Sequence, residues 1–145
     1  VGIECRIADI GDAASWPDRP TLVAALHACG PASDTIIERT AAARARALLL
    51  VPCCTGASVD AAARASRRLS QLAVPRHAPV RRRFIPAIVD AERTWRLEAA
   101  GYETEVVELF APTVSPHNLL WRARRVGEPR RMAAARRALQ VLAGD

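Results

Sequence analysis

Hydrophobic residues fall on consecutive positions in two short runs, "TLVAALHA" (21–28) and "ALLLV" (47–51). Unbroken apolar runs of this length are expected of strands covered on both faces in a parallel sheet. Between them, after Gly30-Pro31, lies "SDTIIERTAAARARA". Its Ala/Arg body favours helix, Ser33 and Asp34 are good N-cap residues, and Thr35 and Glu38 have the spacing of a capping box. Strand, helix and strand in about 30 residues predict a βαβ unit. Upstream, "GIECRIAD" (2–9) alternates loosely and predicts a short strand entering a turn at residues 9–12. Downstream, residues 57–72 predict an Ala/Arg-rich helix and the proline-punctuated stretch 73–80 a loop. Residues 84–100 predict an amphipathic helix closed by Gly101. "YETEVVELF" and "NLLWRARRV" predict an antiparallel hairpin across "APTVSPHN", and "EPRRMAAARRALQVL" predicts a terminal helix. The fold class is therefore α/β, with the last two strands antiparallel neighbours.

Composition narrows this picture. With 145 residues, half of them hydrophobic, the chain can build one globular core. No apolar stretch approaches the ~20 residues of a membrane-spanning helix, so no membrane partner is expected. The chain opens at Val1 without an initiating Met, and we expect it to be a piece of a longer protein. Four cysteines, two of them adjacent, do not resemble a secreted disulfide framework, so a reduced, cytoplasmic setting is expected. The net charge is +6, carried entirely by arginine. It is uneven: residues 57–96 hold nine Arg against three acids, whereas residues 1–56 hold five against six. The middle third suits an anionic partner such as RNA, and a solvated arginine face is the blander reading. Nothing in the pattern fixes an oligomeric state.

The candidate chemistry sits at the ends of the two apolar runs. His27, Cys29 and Gly30 close the first, and Pro52, Cys53 and Cys54 close the second. In a doubly wound sheet ligands bind beyond the carboxyl ends of the parallel strands, so the two tips are expected to share one edge and one pocket. Gly30 would permit close backbone approach, and the following helix start offers free N–H groups. His27 could orient substrate or act as a base; otherwise it is a hydrogen-bonded residue closing the strand. Asp34 reads as a helix N-cap whose carboxylate could also reach the pocket. Cys29, Cys53, Cys54 and His27 invite a zinc site, but adjacent cysteines rarely both ligate one ion and the spacing is not that of a finger or ribbon. No metal is expected. A Cys53–Cys54 disulfide is also disfavoured, leaving the three sulfurs as pocket-lining groups. Asn118 either orders the pocket rim or serves a turn at positive φ. Trp16, Trp95 and Trp121 read as core anchors.

"ALHACGPASD…LLLVPCC" resembles the class I methyltransferases that carry H-x-C-G-x-x-S/T-D after the fourth strand and P-C-C after the fifth, a family that includes eukaryotic tRNA ribose methyltransferases. The likeness extends to "LEAAGYETEVVELFAPTVSPHNLLWRARR", similar to that family's closing hairpin, with Ser115-Pro116-His117-Asn118 where T-P-K-N is usual. "CRIADIGD" falls where the third strand and its acidic turn belong, so the likeness spans roughly residues 5 to 125. It implies a Rossmann-like sheet of order 3-2-1-4-5-7-6, truncated here to strands three to seven, within residues 1–126, followed by a helical tail at 127–145. It also implies S-adenosylmethionine as cofactor and methyl transfer to an oxygen or nitrogen nucleophile, with RNA, tRNA first, as the substrate to test. Asp9 and Ile10 would hold the adenine, and His27, Cys29 and Gly30 would line the cofactor site. His27 and Asp34 would take part in the chemistry, and Pro52, Cys53, Cys54 and Asn118 would line the substrate pocket. The family's glycine-rich cofactor loop and its ribose-binding acid are absent: no G-x-G-x-G occurs anywhere. The chain alone is thus expected to bind the cofactor weakly or not at all. The alternative is a non-catalytic module that binds nucleic acid through Arg64, Arg67, Arg68 and Arg81 to Arg83.

Overall fold

The computed structural model describes residues 2–54, 59–115 and 117–144. A single 3₁₀ turn, Ala13–Ser15, precedes strand β1 (Leu22–Leu26), helix α1 (Pro31–Ala42), strand β2 (Ala47–Val51), helices α2 (Asp60–Gln71) and α3 (Ala78–Ala99), strands β3 (Tyr102–Glu108) and β4 (Leu119–Arg125), and helix α4 (Pro129–Ala143). The four strands form one open sheet in the order β1-β2-β4-β3. β1 and β2 are parallel, with Leu26 opposite Val51, and the two remaining pairings are antiparallel. The βαβ unit, the closing hairpin and the terminal helix all form where periodicity and turn residues predict them.

One face of the sheet is covered. Ile36 and Ile37 of α1 and Leu97 of α3 pack on Leu48, Leu50, Tyr102, Trp121 and Ala123, with Trp16, Val23 and Ala25 against them. Tyr102, fully buried, donates its hydroxyl between the Thr40 and Ala45 carbonyls, 3.1 and 2.8 Å away, tying β3 to the turn that ends α1. A second cluster, Val59, Ala61, Ala62, Ala65 and Val89, joins α2 to α3. The opposite sheet face is open. It is apolar at Leu22, Leu26 and Leu49 and charged at the cross-strand pairs Arg122–Glu105 (2.6 Å) and Arg124–Glu103 (2.8 Å).

Four expectations are corrected. Residues 2–9 form no strand: they run exposed outside the sheet, since among the described residues no strand lies beside them to take their hydrogen bonds. Among the described residues four strands are therefore present where five were expected. β1 is not covered on both faces: among the described residues nothing packs on the Leu22 and Leu26 side, where Leu26 is 74% exposed, and the strand also lies at the sheet edge. α1 starts earlier than expected. Gly30, at φ 53°, is its N-cap, and Pro31 takes the first turn, where its missing N–H costs nothing. Ser33 and Asp34 consequently lie inside the helix, and Thr35 Oγ1 donates to the Pro31 carbonyl instead of forming a capping box. α3 also begins earlier, at Ala78, with Pro86 inside it, so the predicted 73–80 loop shortens at its end. Residues 57 and 58, expected in the second helix, and Pro116 of the hairpin motif lie outside the described residues.

Candidate functional site at the carboxyl ends of two parallel strands

Because β1 and β2 are parallel and paired in register, the segments leaving them run side by side. The Cα atoms of Cys29 and Cys53 are 5.4 Å apart and their sulfurs form a disulfide. This corrects the expectation that Cys29, Cys53 and Cys54 are all reduced pocket-lining residues. Sequence spacing gave no sign of the pairing, which follows from strand register. Cys54 keeps a free thiol, half-buried, and the three sulfurs of Cys29, Cys53 and Cys54 lie within 4.8 Å of one another.

The segment 27–30 is held through its backbone. Ser33 Oγ donates to the Ala28 carbonyl, the Ala32 N–H to that of Cys29 (3.1 Å), and Arg93 Nη2 to that of Gly30 (3.3 Å). Three successive carbonyls thus have donors, which fixes a segment that regular structure does not. His27 turns the chain off β1 in the left-handed region, at φ 55°, an unusual conformation for a side-chain-bearing residue, and its imidazole is exposed. Ala28, by contrast, enters the core.

Arg93 was not anticipated. It lies on α3, has no solvent exposure, and donates to the Gly30 carbonyl and to both carboxylate oxygens of Asp34, at 3.4 and 3.2 Å. Arg96 adds a bond to the same carboxylate at 3.0 Å and another to Glu38 at 2.8 Å. Asp34 is therefore the hub of an ion-pair network, not a helix cap. Its carboxylate is already engaged by two guanidinium groups.

Beside this network lies a cavity of about 620 Å³, lined by Pro52, Cys54, Arg82, Arg83, Pro86, Asp90, His117, Leu119 and Trp121. A volume of this size suits a small ligand. Arg82 or Arg83, Pro86 and Asp90 recur at three- and four-residue intervals, so one stripe of α3 forms a wall. Burial raises the Asp90 carboxyl to about 6, against the opposing pull of Arg93 and His117. Arg93 Nη1, 3.8 Å from Asp90, has no hydrogen bond of its own. The floor is Trp121, whose indole N–H donates to Thr94 Oγ1 at 3.0 Å. Asp90 and Arg93 escaped the sequence reading because charged positions on an amphipathic helix look like its solvent face; their spacing to Pro86 was the available signal.

The other expected residues are placed as follows. Asn118 is buried, keeps an ordinary negative φ, and donates its amide to the Phe110 carbonyl at 2.7 Å, while Leu109 N–H donates to its own carbonyl at 2.7 Å. It clamps the hairpin, and its neighbours His117 and Leu119 face the cavity. Asp9 accepts the Gly11 N–H at 2.7 Å, and the Ile10 carbonyl accepts the Trp16 indole N–H at 2.9 Å, with the Ile10 side chain exposed. This turn reaches α1, since a Cβ on Gly11 would lie 4.0 Å from Thr35. Of the candidate nucleic-acid arginines, Arg64 pairs with Glu92, Arg68 bonds Gln71, and Arg81 bonds the Ser66 and Ser70 hydroxyls. Arg67, Arg82 and Arg83 are exposed, with no ion pair among the described residues.

No helix among the described residues is long and apolar enough to cross a membrane. No curated protein and no solved structure matches the chain. Residues 2–59, less than half of the chain but inclusive of both strand tips, match the family described as a methyltransferase domain.

Proposed function

We propose that the chain is part of an S-adenosylmethionine-dependent methyltransferase domain, contributing the adenine-side wall and the acceptor pocket. The observation that carries this reading is the juxtaposition of residues 27–30 and 52–54 at the carboxyl ends of adjacent parallel strands, inside the segment that matches a methyltransferase domain. The strand order β1-β2-β4-β3 supports it, being the order 4-5-7-6 of the resembling family. The exposed edge of β1 supports a sheet that continues on that side.

The residues present fit one end of the cofactor only. The Asp9–Ile10 turn offers a carboxylate and an exposed apolar side chain suited to an adenine ring. Nothing in the chain offers the glycine-rich loop for the methionine end or the acid for the ribose. We therefore derive no chemical step through the cofactor from this chain. The acceptor pocket is the cavity below β2 and β4, where Arg82 and Arg83 suit an anionic substrate such as RNA.

Calorimetric titration of residues 1–145 with S-adenosylmethionine tests the reading. The expected result is no micromolar binding, with binding and methyl transfer to RNA appearing when the chain is supplied with a glycine-rich βα unit on the β1 side. Micromolar affinity of residues 1–145 alone overturns the partial-site reading.

A further inference from the structure

We propose that Cys29, Cys53 and Cys54 form a zinc site when the Cys29–Cys53 disulfide is reduced. The reading does not rest on methyl transfer. In the sequence a metal is disfavoured because adjacent cysteines rarely both ligate one ion and the spacing is not that of a finger or ribbon. Here residues 52–54 lie beyond the end of β2, outside the ladder, and all three sulfurs lie within 4.8 Å of one another. Tetrahedral thiolate coordination at ~2.3 Å places its sulfurs ~3.8 Å apart, so the loosest pair needs to close by about 1 Å while the Cys29 and Cys53 sulfurs, once reduced, move apart to the same spacing. Thiolate is the ligand class zinc takes most readily, and three of them leave a fourth position open. Cys29 is exposed, which gives ion and reductant a route in, while the half-buried Cys53 and Cys54 supply a partly desolvated floor. The segment bearing Cys29 is tied down through its backbone by Ser33, Ala32 and Arg93, so one of the three ligands is held in place before metal arrives.

The two states exclude each other. A dithiol reductant delivers two electrons and two protons to the Cys29–Cys53 bond and leaves as its own disulfide. Zinc binding then displaces the three thiol protons to solvent. Oxidation removes two ligands at once, so metal and disulfide alternate at the strand tips.

The test titrates reduced, desalted protein with cadmium as a spectroscopic substitute and with zinc in competition against a chromophoric chelator. One equivalent is expected to bind with an ultraviolet charge-transfer band of three-thiolate intensity. Cys54→Ser should lower affinity by about tenfold or more and remove a third of the band, whereas Cys5→Ser should change neither. Because a cysteine variant could misfold, wild-type protein saturated with zinc is also alkylated: Cys5 alone should be labelled. Equal affinity of Cys54→Ser and wild type, or labelling of Cys29, Cys53 and Cys54 at the same rate with and without zinc, overturns the site.

Discussion

Arg93 holds Asp34 through both carboxylate oxygens while its own side chain is wholly buried. The same guanidinium reaches the Gly30 carbonyl, so one residue of α3 fixes both the start of α1 and the segment leaving β1. Removing one member of such a pair leaves the other charge poorly compensated, which typically costs about 3–5 kcal/mol. Asp34 remains 18% exposed and keeps Arg96, so the lower end applies. Urea unfolding of Arg93→Ala should show a loss of about 3 kcal/mol, and the Arg93→Ala/Asp34→Ala double variant should lose less than the sum of the singles by about 1 kcal/mol or more. Additive losses would mean the pair is not coupled.

Asp90 makes stability depend on pH in an unusual direction. Its folded pKa is raised, from 3.8 to about 6, chiefly by burial. A carboxyl raised on folding contributes stability that is complete below its unfolded pKa and is lost as pH rises through the folded value. The window is thus between roughly pH 4 and 6, and two units correspond to about 3 kcal/mol as an upper figure. Asp90→Asn should be more stable than wild type at pH 7.5, by about 2 kcal/mol, and indistinguishable at pH 3.5. Thermal unfolding across that range decides it; a constant difference rules out the titration.

Tyr102→Phe isolates the hydroxyl that serves the Thr40 and Ala45 carbonyls. Removing the hydroxyl takes the Tyr102 donor from both carbonyls, of which that of Thr40 keeps the Ala45 N–H, and should cost about 1–2 kcal/mol with no change in fold. Equal midpoints in urea for the two proteins would show that the hydroxyl contributes nothing net.

The Cys29–Cys53 bond closes a loop across 24 residues and is expected to contribute about 3 kcal/mol by restricting the unfolded chain. Alkylation under denaturing conditions should label two thiols, Cys5 and Cys54, before reduction and four afterwards, with the unfolding midpoint falling on reduction. Four labelled thiols without reductant would contradict the pairing.

The βαβ unit was legible because consecutive apolar residues bounded by Gly30-Pro31 and Pro52 leave few alternatives, and Gly101 marked the end of α3 for the same local reason. It sits at φ 97°, and its carbonyl accepts two N–H groups, from Val126 and Gly127. Residues 2–9 misled because alternation records a capacity to pair and cannot supply the partner strand. β1 misled because an apolar run says nothing of which face is covered. At the site, the convergence of the two tips was readable from topology rules. The disulfide and the Asp34–Arg93–Asp90 chain were not, since each joins residues distant in sequence through packing that no local pattern encodes.

Pro86 divides α3 into two mechanically unequal parts. Lacking an N–H, it leaves the Arg82 carbonyl without its helical donor. Every buried residue of this helix (Val89, Arg93, Leu97 and Glu98) lies after it. The leading turns, which carry Arg82 and Arg83, hold none of these buried residues, so their fraying is expected to cost only part of the global unfolding free energy. Amide protons before residue 86 should exchange by local opening and those after 89 only with the whole molecule, so the cavity's mouth can breathe while its floor stays still.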